Sequence, residues 1–288
     1  MKIKRIGVVG AGTMGNGIAQ VCAIAGLPVS MIDVSETAIE RGLRAIDTSL
    51  DALVRKERLS EVEKQAALAR VSGTVDYDAL AGADLVIEAA TENLPLKLRI
   101  LRQIDGIISG SGVVSTNTSS ISITQLAAVL DRPERFVGLH FFNPVPVMPL
   151  VEVIRGLQTS DETHAFAIGF AEVIGKTPVT VRNHPGFTVN RILVPMINEA
   201  IFVLQERLAT ADDIDLGMRL GCNHPIGPLA LADLIGLDTL LAVMEVLHDG
   251  FRDSKYRPAP LLKEMVDAGR LGRKSGHGFY SYSNEEQV

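Results

Sequence analysis

The chain has 288 residues, 47% apolar and 22% charged, with a mean hydropathy of +0.22. That length predicts two domains, and the apolar content excludes a mainly disordered polymer. A net charge of −6 excludes a broadly basic surface for nucleic acid. Two cysteines, Cys22 and Cys222, are too few for a disulfide framework and fit a reducing compartment. Each reads as a small buried apolar residue.

The first residues reach a glycine-rich turn by Gly10, which leaves no room for a secretory leader. The uncharged tract from Gly106 to Leu130 is broken by Asn117, threonines and serines, so it lacks the continuous apolar run of a membrane span. A cytoplasmic protein without membrane or nucleic-acid partners is expected.

In chain order, strand-like runs fall at Ile6–Val9, Val29–Ile32, Leu85–Ile87, Val113–Ser115, Phe136–Leu139, Val151–Ile154 and Val179–Val181. Several are continuously apolar, which suits strands covered on both faces. Between the first two, Met14, Ile18, Val21, Cys22 and Ala25 recur at helical spacing, and one long amphipathic stretch covers about 38–69. Strands alternating with helices predict an α/β fold, a Rossmann-type, doubly wound parallel sheet over residues 1–184. The texture changes near His184-Pro185-Gly186. Beyond it Leu193, Met196, Ile197, Ala200, Ile201 and Leu204 keep a 3.6-residue period, with Pro195 expected to kink that helix. Asp238 reads as the N-cap of a helix stopped by Gly250. Residues 185–288 are therefore expected to form a smaller all-helical domain, rich enough in apolar stripes to offer a subunit interface.

The turn Gly10-Ala11-Gly12-Thr13-Met14-Gly15 sits between the first strand and the first helix. Gly10 suits the tight turn, Gly12 a close approach to a pyrophosphate, and Gly15 close helix–strand packing. The helix N-terminus offers its N–H groups to the phosphates. Asp33 ends the second strand 23 positions after Gly10, near the spacing for a ribose-binding carboxylate. Such a carboxylate repels a 2′-phosphate, and no arginine directly follows it, so NAD is expected over NADP.

Further on, Asn117-Thr118-Ser119-Ser120 follows a strand, His140 ends the next, Glu152 lies in the run after that, and Asn190 lies in the first turn of the helix opening the second domain. Oxidising an alcohol by hydride removal needs a base for the hydroxyl proton, and histidine titrates in the useful range. Glu152 is available to orient His140, while Ser119 and Asn190 can hydrogen-bond the reacting oxygen. Read without context, a histidine placed like His140 is more often a packed core residue, and Ser119 and Ser120 could be capping hydroxyls for a helix through Leu130. His164, His184, His224, His248 and His277 show no metal-ligand spacing, so no metal site is expected, and no Gly-X-Ser-X-Gly elbow points to a hydrolase.

The glycine turn, Glu88-Ala89-Ala90-Thr91-Glu92-Asn93, Asn117-Thr118-Ser119-Ser120, His140-Phe141-Phe142-Asn143-Pro144-Val145-Pro146, Pro185-Gly186-Phe187-Thr188-Val189-Asn190-Arg191 and Gly276-His277-Gly278-Phe279-Tyr280 together resemble the L-3-hydroxyacyl-CoA dehydrogenases, over almost the whole chain. The likeness is nearest to their bacterial 3-hydroxybutyryl-CoA members. The resemblance implies NAD-dependent, (S)-specific interconversion of 3-hydroxyacyl-CoA and 3-oxoacyl-CoA, in fatty acid or butanoate metabolism. It implies His140 as acid/base, Glu152 as its orienting partner, and Ser119 and Asn190 at the substrate oxygen. Asn143 would lie near substrate or nicotinamide, and Asn117, Glu92, Lys97 and Lys274 near the cofactor. Read alone, Glu92 and Lys97 are surface charges on a helix, and Pro95 interrupts the loop after Glu92. Ser49 and Lys56 match coenzyme A contacts, within a stretch from Arg41 to Arg70 that holds seven basic residues against five acidic. A homodimer through the helical domain is also implied. Two other readings use the same scaffold: a dehydrogenase of a polyol acid such as gulonate, and a dinucleotide-binding protein without catalysis.

Overall fold

The computed structural model describes residues 3–282. The chain divides into two compact units, with the boundary between His184 and Pro185.

The first unit is built on an eight-stranded sheet: β1 (Ile6–Val9), β2 (Val29–Ile32), β3 (Val71–Thr74), β4 (Leu85–Glu88), β5 (Val113–Thr116), β6 (Phe136–Phe141), β7 (Leu150–Arg155) and β8 (Thr177–Arg182). Their spatial order is β3-β2-β1-β4-β5-β6-β7-β8. The first six are parallel, in the doubly wound order whose reversal beside β1 opens a crevice at the strand carboxyl ends. Helices α1 (Thr13–Ile24), α2 (Glu36–Arg55), α3 (Glu61–Leu68), α4 (Leu94–Asp105), α5 (Ile123–Ala127) and α6 (Asp161–Val173) make the connections. Strands β1, β2, β4 and β5 are buried along their whole length, as their β-branched runs demand. Ile6, Ile18, Met31, Leu85, Leu139 and Phe170 are among the fully buried side chains of this core.

The sheet is mixed rather than parallel throughout, because β7 runs antiparallel to β6. Only residues 142–149 join the two, and a parallel crossover needs a dozen residues or more. This reversal sets His140 directly opposite Glu152 in the register.

Other expectations are corrected locally. The amphipathic stretch over 38–69 is two helices. Chain reversal at Glu57 (φ 53°) closes α2, and Ser60 opens α3 through a capping box with Glu63. Strand β3 escapes the sequence pattern because Val-Ser-Gly-Thr is short, partly exposed and at the sheet edge. The helix expected to run to Leu130 has five residues, and its cap is Ser122, not Ser119 or Ser120.

The second unit contains α7 (Val189–Gln205), α8 (Ala211–Gly221), α9 (Pro228–Ile235), α10 (Leu237–Phe251) and α11 (Pro260–Asp267). Ile197, Ile201, Leu229, Leu240, Met244 and Leu262 are buried at its centre. Helix α7 runs on through Pro195. The N-cap of α10 is Gly236, with Asp238 in the first turn, and Gly250 lies inside the helix, which ends at left-handed Arg252. Buried Asp233 of α9 ties down the segment after it by accepting the Phe279 and Tyr280 N–H groups and the Tyr282 hydroxyl. Cys22 is buried as expected, which pushes its thiol up to about 12, whereas Cys222 is exposed. Among the described residues no helix is long and apolar enough to cross a membrane.

Candidate active site

Most predicted site residues of the first unit gather where the parallel strands end. Gly10 takes φ +109°, a conformation that favours glycine, and donates its N–H to the Ile32 carbonyl at 2.7 Å. A Cβ on Gly15 would stand 1.8 Å from the Gly10 oxygen, so only glycine lets α1 start this close to β1. A Cβ on Gly12 would meet nothing within 4 Å. The turn there borders open space, and among the described residues no side chain caps the first N–H groups of α1. Thr13 and Met14 begin that helix. A phosphate-sized anion is what such a helix start accommodates.

Asp33 braces the turn. Its Oδ2 accepts from Ala11 N–H and its Oδ1 from Val34 N–H, each at 2.7 Å. Beside it lies a hollow of about 490 Å³ lined by Gly10, Asp33, Val34, Tyr77, Leu96 and Ile100, among others. Burial, and then the charges of Asp33 and Glu88, push the Tyr77 phenol up from its ordinary value. An open glycine, an uncapped helix start, a ribose-ready carboxylate and an apolar-walled hollow are the parts that an adenine dinucleotide requires.

A polar network stands next to it, at the ends of β4 and β5. Lys97 is 1% exposed, so it is no surface charge. Its Nζ donates to Glu88 Oε2 at 2.5 Å and to Thr116 Oγ1 at 3.2 Å, and lies 3.9 Å from Glu92 Oε2. Thr116 in turn donates to Glu88 Oε2 at 2.6 Å. Glu92 lies in the loop before α4, while Pro95 stands in the first turn of that helix. Glu92 accepts from Ser119 N–H (2.7 Å), Ser119 Oγ–H (3.0 Å) and Thr118 Oγ–H (2.8 Å). Sequence reasoning missed Glu88 and Thr116. An acid closing the apolar run Leu85-Val86-Ile87 was the available signal, the same one that marks Asp33.

Asn117 connects this network to β6, its side-chain oxygen accepting from Phe141 N–H at 2.8 Å. One residue earlier, His140 is 6% exposed and its Nδ1 lies 2.7 Å from Oε2 of the wholly buried Glu152. The Phe142 ring leans on the imidazole, with centroids 4.6 Å apart. The carboxylate holds the ring proton on Nδ1, which makes Nε2 the basic nitrogen. Asn143 stands two residues past β6, in a loop that buried Lys176 clamps by donating to the Val145 and Met148 carbonyls.

Four further predicted residues lie on other elements. Ser49 lies on α2 and Lys56 is its exposed C-cap residue; among the described residues neither side chain bonds to another site residue. In the second unit Asn190 is the second residue of α7. Lys274, in a short 3-10 turn, donates to Asp238 at 2.5 Å.

Residues 5–184 match the model of the 3-hydroxyacyl-CoA dehydrogenase NAD binding domain, and 186–282 that of the C-terminal domain of the same family. The chain is 51% identical to a probable 3-hydroxybutyryl-CoA dehydrogenase of Bacillus subtilis (strain 168), over 99% of each chain. It is 49% identical to the 3-hydroxybutyryl-CoA dehydrogenase of Bradyrhizobium diazoefficiens, over 99% of this chain and 98% of the other. Among solved structures, the (S)-3-hydroxybutyryl-CoA dehydrogenase of Ralstonia eutropha is 62% identical with a TM-score of 0.96, covering 98% of this chain and all of that one.

Proposed function

The chain belongs to the 3-hydroxyacyl-CoA dehydrogenase family, and from that premise we propose that it carries out the NAD-dependent, reversible oxidation of (S)-3-hydroxybutyryl-CoA to acetoacetyl-CoA. The observation that carries this reading is the buried His140–Glu152 pair at 2.7 Å, beside a strand edge fitted for a dinucleotide. NAD, when bound, would supply the acceptor for the hydride of the alcohol carbon. His140 takes the hydroxyl proton on Nε2, and in the reverse direction the imidazolium returns it to the carbonyl oxygen. Glu152 keeps the ring in the productive tautomer and stabilises the imidazolium.

Ser119 holds its hydroxyl 3.0 Å from Glu92 Oε1, and rotation about its C–O bond turns that donor to the reacting oxygen. We assign donation to the reacting oxygen to the imidazolium, the Ser119 hydroxyl and the Asn190 amide together. We assign Glu92, Lys97, Asn117, Asn143 and Lys274 to the cofactor side, and Ser49 and Lys56 to coenzyme A, whose phosphates need local cations on an acidic chain. A cytoplasmic homodimer through the second unit completes the reading, supported there by the exposed leucines Leu208, Leu216 and Leu220.

The test is loss of NADH absorbance on adding acetoacetyl-CoA. Turnover that His140→Ala lowers by about 10²–10⁴-fold, with NADH still bound, supports the reading. Turnover of gulonate but not acetoacetyl-CoA would replace it.

A further inference from the structure

The hollow beside the glycine turn holds a charge that the reaction does not use. Leu96, Arg99 and Ile100 recur at helical spacing, so one flank of α4 lines the hollow. Asp33 and Val34, from the end of β2, and Tyr77 line it as well. Leu96, Ile100 and Val34 give the apolar walls an adenine ring needs. Arg99 is exposed, and among the described residues its guanidinium makes no ion pair and no side-chain hydrogen bond.

An arginine adjacent to Asp33 in sequence is absent, but the fold brings one to the same hollow from 66 positions away. The two residues act on a 2′-phosphate with opposite sign. Asp33 cannot turn away to relieve repulsion, because both of its oxygens already accept backbone N–H groups. Arg99 is long, has no side-chain partner among the described residues, and carries the planar fork that suits phosphate oxygens.

We propose that Arg99 is a second determinant of cofactor choice: it is the cation in the adenosine hollow that pairs with a 2′-phosphate, so that Asp33 alone holds the chain to NADH. This rests on the dinucleotide reading of the same hollow. It makes the preference for NADH a difference between two opposed charges, not an absence of any phosphate partner.

Dissociation constants of NADH and NADPH, read on the whole chain from the fluorescence of the dinucleotide itself, test the proposal without turnover. Arg99→Ala weakens NADPH about fivefold and NADH less than about twofold, while Arg99→Lys keeps most of the NADPH affinity. Asp33→Asn tightens NADPH about tenfold, and adding Arg99→Ala cancels most of that gain. Equal weakening of both cofactors by Arg99→Ala would reveal a stacking role and overturn the proposal, as would no change in either. The Arg99 variants decide the matter even if Asp33→Asn fails to fold. Absence of NADH binding by the unaltered chain would instead remove the dinucleotide reading itself, and the proposal with it.

Discussion

His140 Nδ1 and Glu152 Oε2 lie 2.7 Å apart on residues that face each other across the antiparallel pairing of β6 with β7. Two residues 12 positions apart are held in register by the backbone ladder, so their contact does not depend on loop conformation. Glu152→Gln keeps the volume and removes the charge that fixes the tautomer and stabilises the imidazolium. We expect kcat with acetoacetyl-CoA to fall by about 10²-fold or more, with NADH affinity unchanged. Steady-state kinetics beside a fluorescence titration check both halves, and an unaltered kcat would remove Glu152 from the mechanism.

Gly12 and Gly15 separate binding from folding. Ala at position 15 drives a Cβ to 1.8 Å from the Gly10 oxygen, so Gly15→Ala is expected to destabilise the fold by about 1–3 kcal/mol as well as to disrupt the turn. Ala at position 12 meets no protein atom within 4 Å. Gly12→Ala should therefore keep stability within about 1 kcal/mol yet weaken NADH binding at least about tenfold, because the new methyl enters the space that we assign to the pyrophosphate. Urea unfolding and NADH titration of the two variants distinguish the roles.

Lys97 and Glu88 form a buried ion pair, 1% and 0% exposed. Lys97→Met strands the Glu88 carboxylate, leaving Thr116 as its side-chain donor, and should cost about 3–5 kcal/mol in urea unfolding. The double variant Lys97→Met with Glu88→Leu should recover much of that loss, since it leaves no uncompensated charge. A double variant as unstable as the single one would mean that the pair is net stabilising, rather than merely costly to break.

Lys176 donates to the carbonyls of Val145 and Met148, and burial holds its ammonium below the ordinary 10.5. Between the folded value and 10.5 the unfolded chain binds more protons than the folded one. The contribution of Lys176 to stability therefore rises with pH through that window and is flat below it. Subtracting the unfolding free energies of Lys176→Met from those of the parent, over about pH 8 to 10.5, should leave a positive slope. A flat difference would show that the folded and unfolded chains share one value.

The order of apolar runs, the glycine turn, the acid ending β2 and the change of texture at His184-Pro185 were legible in the sequence. Each is local: a strand buried on both faces needs a continuous apolar run, and a turn at positive φ favours glycine. The 3.6-residue stripes beyond Pro185 mark α7 for the same reason. What the linear pattern cannot carry is direction and pairing. The return of β7 against β6 follows from an eight-residue connection too short for a crossover, and it alone sets His140 against Glu152. Lys97 reads as a surface charge on an amphipathic helix until β4 and β5 bring Glu88 and Thr116 to its ammonium. Arg99 likewise gains its meaning from sharing a hollow with Asp33. Side-chain chemistry is written along the chain, but its partners come from distant strands, so burial and pairing are decided only when the sheet is assembled.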